Sequence, residues 1–281
     1  MDRRNFIGAA LALLLLGGTP SAGGAAPPYQ PKRFSVVVKG TGPDVILIPG
    51  LTASRDIWSA TVAKVPGYRY HLVQVNGFAG TAPGANSIGP VVAPLADEVA
   101  AYVRARGLSR PAMVGHSMGG TVAMMVAARH PERVGRVMVV DMLPQPAGLL
   151  GSSATGVRGL AESLRGLAAS PGGRQFVASL IATFGTPEAE AGASDPDLVA
   201  RVTHELALTD LTPELAKIAA PLTVVYAAPD RESRAAVASS YRSAYAGKPG
   251  AKLIRIDDSG HMIMYDQPAR FQAALKAFLA E

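Results

Sequence analysis

A serine flanked by glycines near the middle of the chain has the type and spacing for nucleophilic chemistry. Gly115-His116-Ser117-Met118-Gly119 is a G-x-S-x-G pattern between an apolar run, residues 111–114, and a segment of helical character, residues 121–126. That strand–turn–helix context is typical of a nucleophile elbow, a tight turn that exposes the serine hydroxyl. The turn leaves no room for side chains two positions before and after the serine, and glycine meets that need. We therefore expect Ser117 to be a nucleophile and not part of a plain Gly/Ser turn.

A serine hydroxyl is a poor nucleophile at neutral pH and needs a base within hydrogen-bond reach. Histidine has the pKa for this task and can return the proton to a leaving group. Of the five histidines, only His261 follows a strand-like segment in a loop of small residues. The others lie in a strand, in the elbow, at a helix end and on an amphipathic helix: His71, His116, His130 and His204. The sequence thus predicts His261 as the base.

Strand-like and helical segments alternate along most of the chain and must position these residues. The strand-like segments are residues 34–39, 44–48, 70–75, 111–115, 133–140, 221–227 and 252–256. The run 44–48 is apolar without alternation, as in a strand covered on both faces. The alternation predicts an α/β fold with a mostly parallel, doubly wound sheet. We assign residues 27–144 and 220–281 to this core.

The alternation stops over residues 145–219, where no convincing strand occurs. Three apolar stripes at helical spacing fill this segment: Val157, Leu160, Leu164 and Leu167; Phe176, Leu180, Ile181 and Phe184; Leu198, Val202 and Leu206. The α/β alternation resumes directly afterwards, so an inserted helical cap is favoured over a separate helical domain. Such a cap lies over the carboxyl edge of the sheet, where ligands bind.

With these elements in order, residues 33–281 resemble an α/β-hydrolase, with a helical cap inserted after the sixth core strand of that family. The order Ser117, Asp230, His261 follows the family's nucleophile–acid–base order. The resemblance implies Ser117 as nucleophile, His261 as general base and Asp230, at the end of the seventh strand, as the carboxylate that orients the imidazole. Asp141, after the sixth strand, is the rival position for the acid. We prefer Asp230.

The resemblance also implies an oxyanion hole formed by the backbone N–H groups of Leu51 and Met118. Pro49-Gly50-Leu51 differs from the His-Gly pair that many members carry there, but a backbone donor does not depend on that histidine. The loop 76–80 replaces the common Asp-x-x-Gly-x-Gly-x-Ser sequence, so the substrate contacts of this loop are not implied.

Residues 1–26 have the composition of a secretory signal peptide: a charged start, an apolar stretch and then small residues. Arg3-Arg4-Asn5-Phe6-Ile7 resembles a twin-arginine signal, which bacteria use to export folded proteins. We expect a periplasmic or secreted protein with no stable membrane anchor after signal cleavage, because the apolar stretch is short for a bilayer span.

Composition excludes several other classes. The net charge is +6, but Lys and Arg are scattered, so no nucleic-acid surface is predicted. The chain has no cysteine, no H-E-x-x-H motif and no phosphate-binding glycine loop, so neither a metal nor a nucleotide cofactor is expected. The oligomeric state is left open.

The leading hypothesis is an exported serine hydrolase that cleaves a small carboxylic ester or lactone through an acyl-enzyme. The alternatives with the same triad are an amide or peptide-end hydrolase, a carbon–carbon bond hydrolase and a perhydrolase. A peptidase would favour an acidic anchor such as Glu205 or Glu214. A further alternative is an α/β-hydrolase fold that binds a ligand without turnover.

Overall fold

The computed structural model describes residues 29–150 and 193–281. In these residues seven strands form one sheet in the order β1-β3-β2-β4-β5-β6-β7. The strands are β1 (Phe34–Lys39), β2 (Asp44–Ile48), β3 (Arg69–Val75), β4 (Ala112–His116), β5 (Arg136–Val140), β6 (Leu222–Ala228) and β7 (Lys252–Asp257). Strand β1 is antiparallel to β3, and every other neighbouring pair is parallel. The predicted mostly parallel α/β sheet is confirmed.

Helices cover both faces of this sheet. They are α1 (Ser59–Lys64), α2 (Val92–Ala105), α3 (Met118–Arg129), α4 (Pro196–Leu208), α5 (Arg234–Ala244), α6 (Ile263–Asp266) and α7 (Pro268–Ala280). Because side chains alternate along a strand, β2 contributes Ile46 and Ile48 to one buried apolar cluster and Val45 and Leu47 to the other. This explains why the run lacks polar positions: both of its faces are covered.

Part of the predicted cap falls within the described residues. The segment counted as the family's sixth core strand is β5, and the seventh is β6. Between them lie a 3₁₀ turn, Pro146–Leu150, the helix α4 and a second 3₁₀ turn, Thr212–Lys217. The stripe Leu198, Val202 and Leu206 is buried on α4, as its spacing predicts. The other two stripes lie outside the described residues, so the cap as a whole stays a prediction.

The segment that leads into α4 is bonded to the core. The N–H of Asp195 donates to the carbonyl of Gly77 at 2.8 Å, and the N–H of Gly80 donates to the carbonyl of Ala193 at 3.0 Å. The Asp195 side chain caps α4 by accepting from the N–H of Leu198 at 2.8 Å. The loop 76–80, which departs from the family's usual sequence, thus holds the segment before α4 by backbone hydrogen bonds.

The predicted signal segment 1–26 lies outside the described residues. Over residues 29–150 and 193–281, no helix has the length and apolar character needed to cross a lipid bilayer.

Candidate active site

Ser117 lies in the turn between the end of β4 and the start of α3. Its backbone has φ 54° and ψ −122°, which is a strained conformation for a residue with a side chain. Its N–H donates to the carbonyl of Val140 at 2.9 Å, so the turn is fastened to the neighbouring strand β5. A strained serine at a strand–helix junction is what a nucleophile elbow requires.

The two motif glycines are explained by close backbone approach. A Cβ on Gly115 would lie 2.0 Å from the carbonyl oxygen of Gly119, and a Cβ on Gly119 would lie 2.2 Å from that of Ile48. Neither clash involves a flexible side chain, so alanine at either position forces the backbone apart. The two glycines are therefore required at these positions by the close backbone contacts of the turn.

Asp141 follows the last residue of β5 and points its carboxylate at His261. Its Oδ2 lies 2.7 Å from Nδ1 of His261, and both side chains are about nine-tenths buried. Its Oδ1 accepts from the N–H of Ala227 and from the hydroxyl of Tyr241, each at 2.9 Å. A buried carboxylate needs partners for its oxygens, and both oxygens of Asp141 have them.

The structure contradicts the choice of Asp230 as the partner of the imidazole. Asp230 is exposed, and its Oδ1 accepts from the N–H of Ser233 at 2.7 Å, just before α5. That hydrogen bond lowers the pKa of Asp230 below its usual value. The physical reason is that the Asp230 carboxylate is engaged in the local turn before α5, whereas that of Asp141, at the end of β5, faces the imidazole. Asp141, the rival of the sequence analysis, occupies the position.

His116 ties the loop of His261 to the elbow. Its Nε2 lies 3.0 Å from the carbonyl oxygen of His261, so Nε2 carries the hydrogen and donates it. The two imidazole rings are 4.6 Å apart at their centroids. Burial, together with the nearby His261, lowers the pKa of His116 to about 3, so the ring is neutral at neutral pH.

The sequence analysis missed the contacts of two residues near the site. It treated His116 only as the variable position of the motif, although a polar ring beside the serine can form hydrogen bonds there. It did not single out Tyr241, which is buried on α5 together with Ala238. Helical spacing identifies such a tyrosine only as a core residue, so no sequence signal could have assigned its hydroxyl to Asp141.

The loop after β2 approaches the elbow closely. A Cβ on Gly50 would lie 3.1 Å from Cβ of Ser117, so Leu51 follows directly after a glycine that leaves little room for a side chain beside the serine. Met118 is the first residue of α3, where backbone donors have no partner inside the helix. Across the described ranges, neither the N–H of Leu51 nor that of Met118 donates to a loop or cap carbonyl. The oxyanion hole remains a prediction that this close approach supports.

The two acidic residues considered as peptidase anchors are both engaged in the structure. Glu205 accepts from the N–H groups of Val91, at 2.9 and 3.0 Å, and of Val92, at 2.8 Å, at the start of α2. Glu214 forms a bidentate pair with Arg129 at 2.8 and 2.9 Å. Both carboxylates therefore link structural elements and are not available to recognise an amino group.

The family model described as "Alpha/beta hydrolase family" matches residues 45–274. This match spans well over half of the chain and includes the elbow, Asp141 and His261. The protein therefore belongs to the alpha/beta hydrolase family.

Similar proteins carry the names of hydrolases. A pimeloyl-[acyl-carrier protein] methyl ester esterase of Aeromonas hydrophila is 36% identical over 106 residues, 37% of this chain and 40% of the relative. A putative carbamate hydrolase RutD of Serratia proteamaculans is 30% identical over 115 residues, 40% of this chain and 42% of the relative. The chain thus spans about two-fifths of these curated relatives. The solved enol-lactonase of Burkholderia xenovorans LB400 superposes with a TM-score of 0.69 at 18% identity, over 88% of this chain and 96% of that chain, and shares the fold.

Proposed function

We propose that the protein is a serine hydrolase that cleaves a carboxylic ester or a lactone. The observation that carries the proposal is the 2.7 Å pairing of His261 Nδ1 with the buried carboxylate of Asp141, next to the strained turn of Ser117. A carboxylate on Nδ1 leaves Nε2 as the ring nitrogen that accepts the proton of the nucleophile.

The proposed reaction has two halves. Ser117 Oγ attacks the carbonyl carbon while its proton moves to Nε2 of His261, and the N–H groups of Leu51 and Met118 receive the developing oxyanion. The tetrahedral intermediate collapses, the alcohol leaves with the proton from His261, and an acyl-serine remains. Water then attacks the acyl-serine and gives its proton to His261. The carboxylic acid departs as that proton returns to Ser117 Oγ.

The comparisons support a hydrolase, and the names of an esterase and an enol-lactonase among the similar proteins favour the ester or lactone class. The relatives include proteins named as an esterase and as a carbamate hydrolase, and a structural neighbour is named as an enol-lactonase. The peptide-end alternative is weakened, because Glu205 and Glu214 already bind backbone N–H groups and an arginine. The ligand-binding alternative predicts an unreactive Ser117, which makes it separable by experiment.

The purified protein without residues 1–26 should be assayed on p-nitrophenyl esters of increasing acyl length, on lactones and on p-nitroanilides, beside Ser117→Ala. We expect ester or lactone turnover that falls at least about a thousandfold in Ser117→Ala. A fluorophosphonate probe should label wild-type protein at Ser117. Equal, negligible rates in both proteins together with no labelling would overturn the proposal and favour a binding protein.

We also propose export, from the twin-arginine-like start of the chain. In a bacterial host, the full chain should appear in the periplasmic or secreted fraction, and the double change Arg3→Lys, Arg4→Lys should retain it inside the cell. Equal distribution of both proteins would contradict this route.

A further inference from the structure

The Asp141 oxygen that does not face His261 has donors of its own. Oδ1 accepts from the N–H of Ala227, on β6, and from the hydroxyl of Tyr241, on α5. The backbone donor is supplied by any residue except proline at that position. The Tyr241 hydroxyl, in contrast, belongs to one side chain and is removed by a single substitution. Of the two donors to Oδ1, it is therefore the one that depends on the identity of a residue.

Tyr241 is held rigidly in place. Its ring stacks on that of Tyr226 with centroids 4.2 Å apart and planes 15° apart, and Tyr245 lies on the same stack at 6.4 Å. Burial raises the pKa of Tyr241 well above its usual value, and the negative Asp141 adds to the effect. The phenol thus stays protonated and donates from a fixed position.

We propose that Tyr241 is a positioning residue for the Asp141–His261 pair. Its hydroxyl holds Oδ1 so that Oδ2 faces Nδ1 of His261, and it draws part of the carboxylate charge away from the imidazole. The inference rests on the proposed function, in which Asp141 supports His261 as the base.

Removal of this hydroxyl has a consequence that loss of packing does not. Without the donor, more negative charge remains on Oδ2, which stabilises the protonated imidazole. The acidic limb of the kcat/KM profile in Tyr241→Phe should therefore move to higher pH by about half a unit to one unit. On the plateau, kcat should fall about three- to tenfold, because the carboxylate is less well oriented, while KM stays within about twofold.

Tyr245→Phe is the matched control. It removes one buried hydroxyl from the same stack, but that hydroxyl donates to the carbonyl of Met142 at 2.7 Å and not to Asp141. Both variants should lose similar thermal stability. Only Tyr241→Phe should shift the pH profile. An unmoved profile in Tyr241→Phe, or an equal shift in both variants, overturns the inference.

A second measurement does not depend on turnover. The Nδ1–H···Oδ2 hydrogen bond of His261 is expected to give a far-downfield proton resonance. This resonance should move further downfield in Tyr241→Phe, stay in place in Tyr245→Phe and disappear in Asp141→Asn. If the resonance moves in Tyr241→Phe but wild type and Ser117→Ala are equally inactive, the proposed function is wrong and the positioning role of Tyr241 stands. If turnover depends on Ser117 but the resonance does not move in Tyr241→Phe, the proposed function stands and the positioning role of Tyr241 is wrong.

If Tyr241→Phe does not fold, fluorinated tyrosine incorporated into the otherwise unchanged protein tests the same point. Its more acidic hydroxyl is a stronger donor to Oδ1, so the acidic limb should move to lower pH. Tyr245→Phe protein labelled in the same way should show the same movement, since Tyr241 remains. No movement in either protein overturns the inference.

Discussion

Two histidine–aspartate pairs lie on this sheet with nearly the same geometry. At the carboxyl end of β5, His261 Nδ1 lies 2.7 Å from Asp141 Oδ2, and at the amino end of β2, His71 Nε2 lies 2.9 Å from Asp44 Oδ1. All four side chains are at least about 87% buried, with exposures of 10% and 9% in one pair and 4% and 13% in the other. Distance and burial do not separate them.

The pairs differ in what else their groups bind. Asp44 also accepts two hydrogen bonds from Arg69, at 2.5 and 2.8 Å, and the second ring nitrogen of His71 lies 2.7 Å from the hydroxyl of Tyr102. Burial lowers the pKa of His71, and the hydrogen bond from Arg69 lowers that of Asp44. The result is a neutral imidazole beside a carboxylate whose charge is already compensated.

Asp141 has no such compensation in the part of the chain that the structure describes. Besides the imidazole, its partners are an amide N–H and a phenol, both neutral. Its negative charge is therefore directed to His261, whose ring packs on the residue before Ser117. We therefore expect the Asp141–His261 pair, and not the Asp44–His71 pair, to support catalysis, because among the described residues its carboxylate has no charged partner besides the imidazole and it lies beside Ser117.

The largest expected effect separates the two carboxylates by rate. Asp141→Asn should lower kcat by roughly a thousand- to ten-thousandfold, because the amide favours the wrong imidazole tautomer. Asp44→Asn, the matched change in the other pair, should leave kcat within about threefold when assayed well below its melting temperature. Steady-state kinetics on the best ester substrate measure both. Similar losses in the two variants would remove the distinction between the pairs.

The next effect separates the pairs by stability. His71→Leu should lower the free energy of unfolding by about 2–3 kcal/mol, because it removes two buried hydrogen bonds, one with Asp44 and one with the Tyr102 hydroxyl. Turnover by the folded variant should stay within about twofold. Tyr102→Phe, which removes one of the two bonds, should cost about 1 kcal/mol. Urea unfolding measures both variants, and a folded His71→Leu protein that has lost most of its kcat would contradict a purely structural role.

His116 makes the free energy of unfolding of the protein depend on pH. The folded protein protonates His116 only near pH 3, whereas an unfolded chain does so near 6.5. Between these values the unfolded state binds more protons, so this contribution is full above about pH 6.5 and is lost as the pH falls. Wild type should therefore lose about 1 kcal/mol more than His116→Gln between pH 6.5 and 5.5. The glutamine amide can still donate to the carbonyl of His261, and parallel unfolding curves would contradict the assignment.

Local patterns predicted most of the fold and part of the site. The unalternating run of β2 indicated a strand covered on both faces, and the glycines around Ser117 indicated a turn in which a side chain has no room. Both features depend only on residues that are close together in the sequence, so a local sequence pattern is enough to predict them. His261 was predicted as the base in the same way, from the small-residue loop that follows a strand.

The identity of the acid was a different problem. Asp141 and Asp230 each follow a strand, and spacing alone does not say which carboxylate turns toward the imidazole. That choice depends on lateral strand order and on donors from other elements, such as the Tyr241 hydroxyl on α5 and the N–H of Ala227 on β6. Such contacts join residues far apart in the chain, and no periodic pattern records them.

Asp230→Asn should have the smallest effect of all. Its carboxylate is exposed and accepts from the N–H of Ser233, and an asparagine oxygen can accept the same hydrogen bond. With Nδ1 of His261 already paired to Asp141, loss of the Asp230 charge should leave kcat/KM within about twofold across the pH profile. Assayed beside Asp141→Asn, this variant tests the position of the acid directly. A tenfold loss in Asp230→Asn would return the acid to the end of β6 and make the Asp141 pair structural, like that of Asp44.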